Sequence, residues 1–104
     1  MRIMPLTNNM KNIDKFEDKS LLIVDDDNPF RDRLGRAMAK KGFEVIQADG
    51  VKKGIELVKQ KKPAFAVIDL RLGDGNGLEV VNEIQKNNLK SIIVMLTGYG
   101  NIPT

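Results

Sequence analysis

Leu21-Leu22-Ile23-Val24-Asp25-Asp26-Asp27 and Phe65-Ala66-Val67-Ile68-Asp69 are two apolar runs that each end on acid. Runs this short, without a polar side, read as strands covered on both faces, the habit of parallel sheets packed between helices. As neighbouring parallel strands, the two would bring their carboxylates together at one end of the sheet. A divalent cation and a phosphoryl group could be held there.

The segments around these runs fit that arrangement. Asn28-Pro29 opens a stretch with apolar residues at Phe30, Leu34, Ala37 and Met38, one face of a helix, with Pro29 suited to its first position and Gly42 to its stop. Phe43 to Ala48 reads as a short strand, and Val51, Ile55 and Val58 repeat at helical spacing until Pro63. Arg71-Leu72-Gly73-Asp74-Gly75-Asn76-Gly77 reads as a loop, Leu78, Val81 and Ile84 as the apolar stripe of a third helix, and Ile92 to Leu96 as a fourth strand. The order β-α-β-α-β-α-β predicts an α/β fold with a doubly wound parallel sheet. Ligands of such sheets bind beyond the C-terminal strand ends, where Asp25, Asp26, Asp69 and Thr97 all fall. Residues 1–19 are polar and without clear periodicity, a tail; residues 20–104 are the domain.

The 104 residues make one domain at most, and a chain of this size buries roughly 60 to 68% of its extended surface. With 41% apolar and 30% charged residues, the composition is that of an ordinary globular protein. There is no cysteine and no histidine, which excludes disulfides, thiolate and imidazole ligands, and histidine bases. Apolar runs such as Ile92 to Leu96 fall far below the ~18 residues of a membrane span, and the N-terminus lacks a secretory core, so a cytoplasmic protein is expected. The net charge of +3 comes largely from scattered lysines rather than a basic stripe with interleaved aromatics. No direct nucleic-acid binding is expected of this segment.

Ionised carboxylates ~5 Å apart repel by on the order of 3 kcal/mol per pair at an effective dielectric of ~20, so a positive group belongs among them. Hard oxygen donors select magnesium or manganese. In phosphoryl transfer one carboxylate can itself be the nucleophile; Asp69 is the candidate, with Asp25 and Asp26 holding the metal. Thr97 offers a hydroxyl to a phosphoryl oxygen, and Gly98 leaves room for an anion near the backbone.

These residues together resemble the receiver domain of bacterial two-component response regulators. The similarity rests on Leu-Leu-Ile-Val-Asp-Asp-Asp at 21–27, Ala-Val-Ile-Asp-Leu-Arg-Leu at 66–72 with the glycine loop, and Val-Met-Leu-Thr-Gly-Tyr-Gly at 94–100, and it runs from Ser20 to Thr104. The resemblance implies a flavodoxin-like receiver fold and a signalling module that is not an enzyme. It implies that Asp69 accepts phosphate from a sensor histidine kinase, that Asp26, Asp69 and the Arg71 backbone carbonyl bind Mg2+ (or Mn2+) with Asp25 acting through water, and that Thr97 is the switch hydroxyl. It also allows a homodimer and control of transcription. Asp25 to Arg31, Asp74 to Gly77 and Leu96 to Asn101 look particularly like the redox-responding regulators of photosynthesis and respiration genes, a subgroup that carries a small helix-turn-helix domain.

The chain departs from the family pattern in places. Receivers continue to a fifth strand ending in lysine, whereas this sequence stops at Thr104, without the last helix-strand-helix portion. Gly73 stands where many members have proline, and Asp27 is an acid without an assigned role in the family pattern, although Asp25 to Asp27 could also cap the first helix. Two alternative functions stay open: a truncated or pseudo-receiver that binds partners without switching, and an aspartate-nucleophile phosphatase using Asp25 and Asp27. The glycine loop with Glu83 is a poor calcium loop because Leu72 occupies the first ligand position.

Overall fold

The computed structural model describes residues 16–87 and 90–96. In chain order the elements are β1 (Ser20–Val24), α1 (Asn28–Lys40), β2 (Glu44–Ala48), α2 (Val51–Lys61), β3 (Phe65–Asp69), β4 (Arg71–Leu72), β5 (Gly75–Asn76), α3 (Leu78–Asn87) and β6 (Ile92–Leu96). β2, β1, β3 and β6 form one parallel sheet in that spatial order, so the direction of winding reverses between β1 and β3. The doubly wound α/β sheet expected from the sequence is present, with β6 outermost beside β3 among the described residues.

Alternate residues of each strand face opposite sides of a sheet, and both sides here are apolar. Leu22, Val24, Ala66, Ile68 and Ile93 pack with Val51 and Val58 of α2 and Val80, Val81 and Ile84 of α3. Leu21, Ile23 and Phe65 pack with Phe43 and with Leu34 and Met38 of α1. On this second face α1 alone covers the sheet among the described residues, leaving an apolar cavity of about 130 Å³ bordered by Leu34, Phe65, Val67 and Val94.

Local chemistry sets where the helices begin and end. α1 starts one residue before the proline: Asp27 is its N-cap, accepting from the Phe30 N–H at 3.1 Å, and Pro29 sits in the first turn, where no N–H is needed. Its end is closed by Gly42 at φ 106°, with the Gly42 N–H donating to Ala39 O and the Phe43 N–H to Met38 O. That left-handed turn favours glycine. α2 ends on Lys62, also left-handed at φ 46°, just before Pro63.

Three expectations shift. Residues 71–76 form a small antiparallel hairpin of β4 and β5 rather than a plain loop. Phe16 and residues 18–19, at the end of the expected tail, already touch the domain: the Phe16 ring meets Phe65 edge-on at 5.3 Å, and Lys19 O accepts from the Glu44 N–H. In α3 the buried stripe is Val80, Val81 and Ile84, while Leu78 is 50% exposed. Leu78 opens the helix, at the rim of the sheet, so its position on the apolar face does not bury it.

That difference is measurable. Ile84→Ala, which empties a fully enclosed site, should lower stability by about 2 to 5 kcal/mol, whereas Leu78→Ala should stay within about 0.5 kcal/mol. Urea denaturation of both variants checks this; equal losses would contradict the packing described.

Candidate functional site

Strand register places the acids. β1 pairs with β3 with Val24 opposite Ile68, so Asp25 and Asp69 emerge side by side at the point where the strand order reverses. One carboxylate oxygen from each of Asp25, Asp26 and Asp69 lies within 4.8 Å of the other two. Asp25 is only 4% exposed, Asp69 is half-buried and Asp26 is exposed.

The turn after β1 is built by the acids themselves. The Asp25 N–H donates to Ala48 O, prolonging the β1–β2 pairing. Asp25 Oδ1 then accepts from the Asp27 N–H at 2.9 Å, a side-chain turn that bends the chain toward α1. Asp27 spends its carboxylate on the α1 cap, a place open to any of the three acids on the sequence alone, and stays outside the cluster. Arg31 fixes the turn from the helix side, donating through Nη1 to Asp25 O at 2.8 Å and through Nε to Gln47 Oε1 at 2.9 Å.

Asp69 is held from the other strand. Its Oδ1 accepts from the Arg71 N–H at 3.1 Å, while the Leu70 N–H donates to Leu96 O and the Gly77 N–H to Leu70 O. Gly77 has no alternative here, because a Cβ at this position would collide with Asp69 O. Arg71, expected to give a carbonyl to the metal, therefore starts its hairpin in contact with the nucleophile candidate. Gly73 runs past Asp26, with Asp26 Oδ2 3.5 Å from where a Cβ would stand, so it borders the cluster without crowding it.

Burial raises the Asp25 carboxyl above the ordinary carboxylate range; the hydrogen bond from the Asp27 N–H opposes this, and the charges of Asp69, Asp26 and Asp27 add to it. A bound cation would favour the ionised carboxyl and so oppose that rise. Three oxygen donors without imidazole or thiolate, converging in a partly buried pocket, fit a hard divalent ion that keeps some of its waters. Asp25, Asp26 and Asp69 are thus brought together as expected. Thr97, Gly98 and Tyr99 lie outside the described residues; Leu96, immediately before Thr97, pairs with Asp69 in the β3–β6 ladder. Sequence reading missed Gln47 as the partner of Arg31 and Asp74 as a cap for α2, since both act across long chain separations. The signal for Asp74 was Gly50, a helix start without a capping side chain.

A model of the response regulator receiver domain matches residues 21–104. The photosynthetic apparatus regulatory protein RegA of Rhodobacter capsulatus is 55% identical over 87 residues, covering 84% of this chain and 47% of that protein. The acid tolerance regulatory protein ActR of Sinorhizobium medicae is 54% identical over 87 residues, covering 84% of this chain and 45% of that protein. The chain spans about half the length of the curated relatives it matches. Among solved structures, a Burkholderia pseudomallei response regulator with a phosphorylated aspartic acid, calcium ion and citrate superposes with a TM-score of 0.74 at 32% identity, covering 79% of this chain and 48% of that one. The Thermotoga maritima response regulator TrrA in complex with Mg2+-BeF superposes with a TM-score of 0.72 at 26% identity, covering 80% of this chain and 72% of that one.

The raised Asp25 carboxyl has a pH signature. A group whose folded-state value lies above its unfolded one binds protons more readily when folded, so its contribution is present at low pH and lost as pH rises through the folded value. In metal-free buffer Asp25→Asn, which keeps an acceptor for the Asp27 N–H, should raise the melting temperature at pH 7, and the gain should shrink as pH falls through the carboxylate range. Thermal melts across pH, with Mg2+ chelated, test this; a loss at pH 7 would contradict it.

Proposed function

Because the chain belongs to the response regulator receiver family, we propose that it is a phosphoacceptor in two-component signalling, taking a phosphoryl group onto Asp69 with the help of Mg2+ (or Mn2+). The observation that carries this reading is the convergence of Asp25, Asp26 and Asp69 within 4.8 Å at the strand-order reversal. The donor is the phosphohistidine of a sensor histidine kinase. An Asp69 carboxylate oxygen attacks phosphorus, the phosphorus–nitrogen bond breaks, and the electron pair leaves with the imidazole, which takes up a proton. The product on this chain is an acyl phosphate.

The chain's own groups do the positioning. The Arg71 N–H on Oδ1 fixes the rotation of the Asp69 carboxylate, and the β1 turn, fastened by Arg31, aims Asp25 and Asp26 at the same point. Asp25, Asp26, Asp69 and the Arg71 carbonyl would hold the metal, which supplies charge neutralisation for the incoming phosphoryl group. Thr97, one residue past the Asp69 partner in β6, would give its hydroxyl to a phosphoryl oxygen. We take the module to have no turnover of its own. A phosphatase would need Asp27 at the reacting centre, whereas Asp27 is engaged at the α1 cap. Regulation of transcription by a longer protein is the corresponding reading for the whole, supported by the relatives' names as regulatory proteins.

Incubation with acetyl phosphate and Mg2+ should add the mass of one phosphoryl group, located to Asp69 by peptide mass spectrometry. Asp69→Asn should take up none, and chelation should reduce the wild-type yield by at least about tenfold. An unmodified wild-type protein in this assay, or modification elsewhere, would overturn the reading.

A further inference from the structure

α2 begins without a cap of its own. Its N-cap position is Gly50, which carries no side chain, so the first N–H groups of the helix need an acceptor from elsewhere. Asp74, at the turn of the β4–β5 hairpin, supplies it with both oxygens: Oδ1 accepts from the Val51 N–H at 2.7 Å and Oδ2 from the Lys52 N–H at 3.1 Å. The fit is close, because a Cβ on Gly50 would stand 2.6 Å from Asp74 Oδ1. These two bonds hold the Asp74 carboxyl below the usual carboxylate range, as expected for an anion at a helix N-terminus.

The same hairpin borders the acid cluster. At its base the Arg71 N–H holds Asp69, in its middle Leu72 is buried in the core and Gly73 passes Asp26, and on its far side the Asn76 N–H donates to Glu79 Oε2. From Asp74 the contacts continue into α2, back through Ala48 O to the Asp25 N–H, and so to the turn that carries Asp25 and Asp26. These contacts join the hairpin, the start of α2 and the turn after β1, the segments that carry or border the three carboxylates. Asp74 is the link that ties the tip of the hairpin to α2.

We propose that Asp74 is a positioning residue for the metal and phosphoryl site, latching the hairpin so that the Arg71 and Gly73 backbone stays in register with Asp26 and Asp69. This rests on the reading of the cluster as a metal-dependent phosphoacceptor. Breaking the latch releases the hairpin tip from α2 and leaves Asp25 and Asp26 in place in the turn after β1, so metal affinity falls while the fold remains. Partners one step removed from a metal commonly change its affinity by 10- to 100-fold.

The test measures Mg2+ affinity by calorimetry and the rate of labelling by acetyl phosphate as a function of Mg2+, on the full chain and three variants. Asp74→Ala should weaken Mg2+ binding by about tenfold and raise the Mg2+ needed for half-maximal labelling in parallel, with the labelling rate at saturating Mg2+ reduced much less. Asp74→Asn, which keeps one acceptor for the helix, should recover most of the affinity. Ser20→Ala is the stability control: Ser20 Oγ accepts from the Ala64 N–H and donates to Asp18 at the opposite end of the sheet. It should lower the melting temperature and leave Mg2+ affinity unchanged. Wild-type affinity in Asp74→Ala overturns the inference alone, as does an Asp74→Asn variant as weak as Asp74→Ala. If Asp74→Ala does not fold, wild-type affinity in Asp74→Asn together with unprotected Val51 and Lys52 amides in hydrogen exchange overturns it. A wild-type protein that binds no Mg2+ overturns both the inference and the functional reading beneath it.

Discussion

Side-by-side pairing of β1 and β3 forces two strand-end carboxylates, with a third from the adjoining turn, into a space where each ionised pair repels by on the order of 3 kcal/mol at an effective dielectric of ~20. The apolar ladder behind them makes the arrangement unavoidable. Leu21 to Val24 and Phe65 to Ile68 are buried on both sides of the sheet or nearly so, and a slip of one residue would invert which side chains meet α1 and which meet α2 and α3. The core thus fixes the register, and the register fixes the acids. Repulsion between them is the local cost that makes the site receptive to a cation.

Around that crowded point the chain uses backbone donors to keep the carboxylates aimed. Asp25 receives the Asp27 N–H, Asp69 receives the Arg71 N–H, and Asp74 receives two from α2. Each bond fixes a short turn or a helix start by placing a backbone N–H on a carboxylate. Arg31, near the start of α1, spends its bonds on the Asp25 carbonyl and Gln47. Glycine appears where another backbone or carboxylate must come close: Gly77 beneath Asp69 O and Gly50 beneath Asp74. The family resemblance and the geometry therefore meet in the same residues.

The two faces of the sheet are not covered alike. α2 and α3 pack closely over one face, where a Cβ on Gly54 would stand only 3.2 Å from Val80 and 3.3 Å from Val24. Among the described residues α1 alone covers the other, beside the apolar cavity along β3 and β6, where Phe16 reaches Phe65. The acid cluster sits at the strand ends, between these two layers, and is braced by elements from both.

The sequence by itself determined the alternation of strands and helices, the parallel sheet, and the identity of Asp25, Asp26 and Asp69, because apolar runs ending in acid are local patterns that only a few topologies can satisfy. It also carried the helix stops at Gly42 and Pro63. Tertiary structure alone decided that Asp27 caps α1 and leaves the cluster, that the glycine-rich stretch folds back as a hairpin, that Val80 rather than Leu78 lies in the core, and that Asp74 serves a helix 23 residues earlier in the chain. Those outcomes depend on which of several possible partners each group meets once the chain is packed, near in sequence for Asp27 and far for Asp74. A carboxylate's partner there is chosen by packing, to which neighbouring residues in the chain give no guide.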